Sequence, residues 1–257
     1  MESGNSPGLG IGIVLDAGAL KRTSFRWVVC FLICLMSLII FMDRTNISIA
    51  APAMMKEFGL SKTRMGLVFS AFAWAYALGG VPGGWLGDRF GARRMLTAMV
   101  VFWSVMTMAT AHAVGFASLV VIRFVFGLGE SGAWPTATRG MQHWYPKSER
   151  GFVNGATHSS ALFATSLVPL AGVAIMRAMG WRAIFHIFGI FGIVWAIFWY
   201  FIYRDHPEHH KRVNAAELEH IRDAAVQAGA TATTQVKKKD AVPWRLILAS
   251  PNMWYLA

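Results

Sequence analysis

The protein has 257 residues, of which 55% are hydrophobic and 14% are charged, and its formal net charge at pH 7 is +11. Soluble domains carry about a quarter charged residues, so this composition excludes an ordinary soluble protein and indicates an integral membrane protein. The basic residues lie mostly between apolar blocks and form no stripe interleaved with aromatic residues, which argues against nucleic acid as a partner. Membrane topology and anionic lipid headgroups explain the positive charge instead.

Six apolar blocks follow one another along the chain, and each is long enough to cross a bilayer, which requires roughly 20 residues. They cover residues 27–54, 65–86, 95–114, 116–134, 152–176 and 184–203. We therefore predict an all-α membrane protein in which residues 25–203 form a bundle of six transmembrane helices.

The polar segments that flank these blocks predict the topology. Residues 1–24 form an N-terminal tail, and residues 204–250 form a central loop in which Asn214-x-x-Glu217 resembles the capping box of a short helix. Sixteen lysines and arginines lie on the side of the tail and the central loop, against five on the other side. By the positive-inside rule, we expect the tail and the loop to be cytoplasmic. Residues 251–257 turn apolar again, so we expect a seventh span that is cut off and a chain that is a fragment.

Charged residues inside the apolar blocks are the candidate functional residues. Asp43 and Arg44 lie in the first block. Arg123 and Glu130 lie in the fourth, two helical turns apart, so they project from one face about 10 Å apart. A charge near the bilayer centre costs about 2.5–3.5 kcal/mol on insertion scales, so it persists where it pairs, faces a wet cavity or handles charged cargo. Two acids and two bases can form a cavity with almost no net charge. An incoming carboxylate would add a negative charge, and a proton taken up by one of the acids would restore the balance.

Two other classes of protein compete with a transporter. An enzyme embedded in the membrane would need a nucleophile or a metal constellation at one depth, and the sequence offers neither. A non-transporting sensor or scaffold would explain the spans, with the four charges acting as structural pairs between helices. Because intramembrane ionisable residues are functional by default, we favour transport.

The segment between the second and third blocks carries the most specific motif, GGWLGDRFGARR. It matches the pattern G-x-x-x-D-R-x-G-x-R-R at Gly84, Asp88, Arg89, Gly91, Arg93 and Arg94. This pattern is similar to the loop 2–3 signature of the major facilitator superfamily. Glycines there permit a tight turn and a close approach of helices, whereas the arginines by themselves fit ordinary positive-inside anchoring.

Three further segments resemble one branch of that superfamily, the anion:cation symporters. They are MDRTN in the first block, FSAFAWAYALGG in the second and RFVFGLGESGAWPTATRG in the fourth. This branch includes bacterial transporters of galactonate, hexuronate and glucarate as well as sialin-like organic-anion carriers. The resemblance covers nearly the whole chain after residue 20 and is specific for the branch, not for a substrate.

The resemblance implies a fold of two six-helix halves, each built from two inverted three-helix repeats, with substrate held between the halves. The six predicted helices would be the N-terminal half, and the missing C-terminal half would be their partner in the plasma membrane. The implied function is proton-coupled symport of a small organic anion, with a sugar acid such as a hexonate, hexuronate or glucarate as the leading expectation. Sodium coupling, exchange and another carboxylate such as phthalate stay open. No cofactor or metal is implied, and H⁺ is the expected coupling ion.

The resemblance also implies a role for each candidate residue. Arg44 would contact the substrate carboxylate, while Asp43 and Glu130 would be the protonatable groups. Arg123 would tether one acid and couple its protonation to substrate binding. The glycines and charges of the loop motif would latch the two halves in the outward-open state. Further substrate-binding candidates are Tyr76, Asn46 and His158, of which the last two could instead hydrogen-bond neighbouring helices.

Overall fold

The structure is a computed structural model that describes residues 22–226, without the side chains of residues 223–226. The part of the chain that it describes contains helices and no strand. The helices are α1 (Arg26–Phe58), α2 (Lys62–Phe90), α3 (Ala92–Thr110), α4 (Phe116–Glu130), α5 (Ala133–Trp144), α6 (Lys147–Met179), α7 (Trp181–Ile202) and α8 (Ala215–Val226). Most of the predicted tail and the predicted start of a further span at residues 251–257 lie outside the described residues.

Five segments are long and apolar enough to cross a membrane: α1, α2, α6, α7 and the segment Phe116–Trp144, which comprises α4 and α5. The remaining predicted block also forms a helix, α3, but it is not among the five. The first turn of this 19-residue helix contains the basic pair Arg93 and Arg94, which lowers its mean hydropathy. The prediction of an all-helical protein is confirmed for the described residues.

The helices pack in a regular set of pairs. α2 packs on α4, α1 on α6 and α3 on α7, and α3 also contacts α4. Glycine controls the contact between α2 and the α4–α5 junction. A Cβ atom on Gly83 would lie only 2.6 Å from the Cα atom of Gly132. At this point α2 and the α4–α5 junction therefore meet backbone to backbone.

Aromatic side chains dominate the packing of α7. The rings of Trp195 and Trp199 stack with their centroids 5.2 Å apart, and those of Trp199 and Tyr203 stack at 4.0 Å. The Trp195 indole also donates to the carbonyl oxygen of Leu32 at 2.8 Å, which ties α7 to α1. Large apolar side chains such as Trp74 and Leu170 are exposed on the outside of the bundle, as expected of a surface that faces lipid.

The short helix α8 lies against the N-terminal end of α1. The side-chain Oδ1 atom of Asn214 accepts from the Glu217 backbone N–H at 2.9 Å, and α8 begins directly after Asn214. The Glu217 carboxylate is fully buried and accepts from the Thr23 hydroxyl at 2.6 Å. It also accepts from the backbone N–H groups of Phe25 and Arg26. A carboxylate of the central segment therefore caps the first transmembrane helix.

Candidate functional site

Arg44 on α1 and Glu130 at the end of α4 form an ion pair inside the bundle. The Arg44 Nε atom donates to Glu130 Oε1 at 2.6 Å, and Nη2 approaches the same oxygen. The Glu130 side chain is fully buried, whereas the Arg44 side chain is 27% exposed. The acid is thus sealed among helices, while the base remains partly accessible from outside the bundle.

Three aromatic rings surround the Arg44 guanidinium. Its Cζ atom lies 5.5 Å from the ring centroid of Phe41, 5.3 Å from that of Phe72 and 4.6 Å from that of Tyr76. Such contacts stabilise a cation and leave its N–H groups available for an anion. The structure therefore brings the predicted residues Arg44, Glu130 and Tyr76 into one group. We call this group the arginine cage, with Phe41 and Phe72 as its further members.

Asp43 lies next to the arginine cage, on the interior side of α1, and is fully buried. Its electrostatic neighbours are Glu130 and Arg123 from α4 and the polar side chains of Thr107 and Trp103 from α3. Neither carboxylate oxygen of Asp43 has a hydrogen-bond partner among the described residues. A buried carboxylate without partners is unfavourable as an anion, so this position suits a group that gains and loses a proton.

Arg123 is buried on the same face of α4 as Glu130 and acts electrostatically on both acids. Its guanidinium lies over the ring of Phe126, 5.0 Å from the centroid. The ion pair in direct contact joins Glu130 to Arg44. Arg123 forms no such pair with either acid among the described residues, and it acts on both acids electrostatically. Its role in coupling stays a prediction.

The two weaker candidates lie in different surroundings. Asn46 is fully buried, and its amide has no hydrogen-bond partner among the described residues. His158 is exposed on α6 and stacks on Trp134 of α5, with centroids 5.4 Å apart and an interplanar angle of 11°. Asn46 therefore belongs to the polar interior around Asp43, whereas His158 belongs to the surface of the bundle.

The loop motif joins α2 to α3 at a tight turn. Gly91 has φ = 81°, a conformation that side chains with a Cβ atom rarely adopt. A Cβ atom there would also lie 2.8 Å from a carboxylate oxygen of Asp205. The other oxygen of that carboxylate accepts from the Arg93 backbone N–H at 2.9 Å, at the start of α3. Asp205, which follows α7, thus caps α3 and requires the glycine.

The remaining members of the motif lie on the surface. Asp88 pairs with Arg139 of α5, an arginine outside the motif. The Arg89 guanidinium lies over the ring of Trp85 at 5.4 Å. A Cβ atom on Gly84 would meet Pro135 at 3.5 Å, an ordinary contact. Of the features expected of the motif glycines, the tight turn lies at Gly91, whereas Gly84 makes no unusually close approach to another helix.

Sequence reasoning missed six residues of these groups: Phe41, Phe72, Trp103, Thr107, Arg139 and Asp205. Trp103 and Thr107 are neutral residues in an apolar block and look like core. The charges of Arg139 and Asp205 are visible in the sequence, but their partners lie 51 and 112 residues away. The spacing of Trp103 and Thr107 by four residues, which places them on one face of α3, was the one available signal.

Comparison with known proteins decides the family. The sequence profile of the Major Facilitator Superfamily matches residues 33–257, most of the chain. The chain belongs to the Major Facilitator Superfamily.

Curated relatives in the superfamily are named as transporters of organic anions. The probable sulfoacetate transporter SauU of Cupriavidus necator is 40% identical over 91% of this chain and 53% of its own length. The probable galactarate/D-glucarate transporter GudP of Bacillus subtilis is 38% identical over 78% of this chain and 45% of its own. The D-galactonate transporter of Escherichia coli O6:H1 is 33% identical over 91% of this chain and 55% of its own length. The chain spans about half the length of these relatives.

Solved structures of the superfamily share the fold. A bacterial homologue of the human lysosomal transporter Spinster, in an inward-facing and occupied conformation, matches with a TM-score of 0.68 and 25% identity. The match covers 74% of this chain and 47% of that one. The proton:xylose symporter XylE matches with a TM-score of 0.68 at 17% identity. This match covers 80% of this chain and 52% of XylE. The resemblance inferred from the motifs, to the superfamily and to its organic-anion branch, is confirmed.

Proposed function

We propose that the chain is the N-terminal half of a secondary active transporter that carries a small organic anion by proton symport. The superfamily and the curated relatives are transporters, so the protein is a transporter and not an enzyme. The observation that carries the proposal is the arginine cage. A partly exposed guanidinium is paired with a sealed carboxylate, and the fully buried Asp43 lies beside it.

The arrangement supports an exchange of partners at Arg44. An incoming anion competes with Glu130 for the guanidinium, which Phe41, Phe72 and Tyr76 hold in place. Once Glu130 loses its counter-ion, a buried carboxylate is left unpaired, and it becomes neutral by taking up a proton. For a singly charged anion such as galactonate, one anion and one proton then enter the site together, and the net charge of the site is unchanged. Release of the anion on the other side reverses both steps.

Asp43 and Arg123 extend this balance to a second acid and a second base. Arg123 acts electrostatically on both acids, so the charge state of one carboxylate affects the other. In this proposal Arg123 couples the two sites. Tyr76 donates to polar groups of the cargo, and Asn46 and His158 contribute to binding from the interior and the surface respectively.

A sugar acid is the proposed cargo. The relatives named for galactarate, D-glucarate and D-galactonate support it, because these molecules are small carboxylates. Sulfoacetate is a second candidate, favoured by the 40% identity to a probable sulfoacetate transporter. Both classes present an anionic head that Arg44 can bind through paired N–H groups.

The packing supports the rest of the predicted architecture, with α3 as a sixth span and two inverted three-helix repeats. In the first repeat the helices are α1, α2 and α3, and in the second they are α4 with α5, α6 and α7. Exchanging the repeats turns the contact between α1 and α6 into that between α4 and α2, and both contacts occur. The contact between α3 and α7 maps onto itself. With six spans, the N-terminal tail and the central segment both face the cytoplasm of a plasma-membrane protein.

The test uses the full-length protein encoded by the gene, reconstituted in liposomes. Uptake of galactonate, glucarate, glucuronate, sulfoacetate and phthalate is measured with an inward proton gradient, with a sodium gradient and with no gradient. We expect proton-driven uptake of a sugar acid, and we expect Arg44→Ala to abolish it in protein that still folds. Arg64→Ala, which removes an exposed arginine at the start of α2, is the control and should leave uptake unchanged.

Other outcomes decide between the alternatives. Uptake driven by sodium, or equal exchange without a gradient, would replace proton symport. A folded protein that takes up none of these anions, with Arg44→Ala reducing only stability, would favour the sensor or scaffold.

A further inference from the structure

Two side chains of α3, Trp103 and Thr107, face the buried acid Asp43. They lie one helical turn apart and are 0% and 1% exposed. The hydroxyl of Thr107 and the indole of Trp103 are the polar neighbours that α3 presents to the Asp43 carboxylate. Neither donor has a hydrogen-bond partner among the described residues, and neither does the carboxylate.

Trp103 differs in this respect from the other tryptophans of the core. A buried indole N–H usually finds an acceptor, because burying it unpaired is unfavourable. Three other core tryptophans donate to backbone carbonyl oxygens at 2.7–3.4 Å: Trp144, Trp195 and Trp199. The indole of Trp103 is therefore available to a group that is not part of the backbone.

Thr107 differs in the same way from its neighbours on α3. Threonine hydroxyls in helices commonly donate to the carbonyl oxygen one turn earlier. Thr97 does so at 2.8 Å and Thr110 at 3.0 Å. The Thr107 hydroxyl makes no such bond within residues 22–226, so it too is available to Asp43.

The charged surroundings of Asp43 come from two helices. α4 presents Arg123 and Glu130, and α1 itself carries Arg44, which is engaged with Glu130. α6 and α7 also pack on α1, but they contribute no buried charged side chain within the described part. The two donors of α3 are thus the neutral polar groups best placed to distinguish charged from protonated Asp43.

We propose that Trp103 and Thr107 are positioning residues that hold the Asp43 carboxylate and set the pH range in which the transporter takes up its coupling proton. This inference rests on the proposed function, in which Asp43 is a protonatable group. An indole N–H only donates, so Trp103 favours the charged carboxylate. A hydroxyl both donates and accepts, so Thr107 can bind either form. The two residues should therefore have unequal effects.

The first test is the pH profile of gradient-driven uptake by the full-length protein. Because the Trp103 indole can donate only to the charged carboxylate, we expect Trp103→Phe to move the midpoint to higher pH by about one unit or more. Thr107→Val should move it less, and Thr107→Ser should restore the wild-type midpoint. Ser104→Ala is the matched control, since Ser104 is also buried on α3 but lies against Gly192 of α7. Unchanged midpoints in both Trp103→Phe and Thr107→Val would overturn the proposal.

The second test does not depend on transport. In protein labelled with 5-fluorotryptophan, the ¹⁹F resonance of Trp103 is assigned by its loss in Trp103→Phe, and we expect it to titrate with pH. Asp43→Asn should abolish this titration, whereas Trp195→Phe should leave it intact. A resonance that stays constant would overturn the inference even where uptake is proton-driven. A titrating resonance without gradient-driven uptake would support the contact and count against proton symport. If Trp103→Phe does not fold, the comparison of Thr107→Val with Thr107→Ser decides the question.

Discussion

Glu217 of α8 caps the first turn of α1 through the backbone N–H of Arg26, 191 residues earlier in the chain, at 3.1 Å. The Arg26 side chain binds the same carboxylate at 3.2 Å and binds Glu149 of α6 at 2.8 Å. His220 of α8 reaches Glu149 as well, at 3.0 Å. The segment that follows α7 is therefore bound to both α1 and α6 by buried or half-buried charges.

Replacing the Glu217 carboxylate should lower the stability of the folded protein strongly. In Glu217→Ala, the Arg26 guanidinium and two backbone N–H groups lose a buried acceptor, and such a loss costs about 3–5 kcal/mol. We expect a clearly lower unfolding temperature in detergent. Glu219→Ala, on the exposed side of the same helix, should change stability by about 0.5 kcal/mol or less. Equal unfolding temperatures for the two variants would contradict the cap.

The stabilisation that the Glu217 carboxylate gives to α1 should be lost at low pH. Burial alone would raise the pKa of Glu217, but hydrogen bonds from Thr23, Phe25 and Arg26 hold it below its ordinary value of 4.5. A depressed pKa means that the folded state favours the carboxylate. The stabilisation is therefore fully present above pH 4.5 and is lost as the pH falls through the lower, folded-state value. The difference in unfolding temperature between wild type and Glu217→Gln should shrink below pH 4.5 and stay constant above it.

The turn at Gly91 should tolerate no side chain. Gly91→Ala combines an unfavourable φ of 81° with a clash against Asp205, so we expect a loss of more than about 1 kcal/mol. Gly84→Ala is the matched control in the same motif, because its Cβ atom would make an ordinary contact. Thermal unfolding in detergent compares them, and an equal loss in both variants would refute the distinction.

The pair between Asp88 and Arg139 should matter for transport more than for stability. Both side chains are substantially exposed, and exposed ion pairs contribute about 0–1 kcal/mol. If the pair belongs to the latch, Asp88→Arg should reduce uptake at nearly unchanged unfolding temperature. The double variant Asp88→Arg with Arg139→Asp should recover part of the uptake. A double variant no better than the single one would show that the pairing itself is unimportant.

The chain on its own should not transport. It spans about half the length of its curated relatives, so a protein of residues 1–257 would provide one wall of the proposed cavity. We expect no gradient-driven uptake into liposomes that contain only this protein of residues 1–257. Uptake equal to that of the full-length protein would refute the two-half mechanism.

Local patterns predicted the helical blocks and the buried charges, because both depend on residues close together in sequence. Tyr76 was found through a family resemblance, and the structure places it against Arg44. The partner of each charge could not be predicted in this way. Glu130 pairs with Arg44 and not with Arg123 on its own helix, because the positions of α1 and α4 in the folded bundle decide which guanidinium reaches the acid. Neutral donors such as Trp103 carry no sequence signal of function until the helices are packed.

The contact between α2 and the α4–α5 junction repeats along three turns of α2, at Gly79, Gly83 and Gly87, opposite Ser131, Gly132 and Thr136. Because glycine has no side chain, α2 has no rotamers to order at these positions, and its contribution to the contact costs little side-chain entropy. The residues opposite Gly79 and Gly87 are Ser131 and Thr136, so only short side chains enter the contact from the other side. The same surface accepts almost no sequence change: in a library covering every substitution, these three positions should be nearly intolerant, while Gly80, one residue from the seam, should accept larger residues freely.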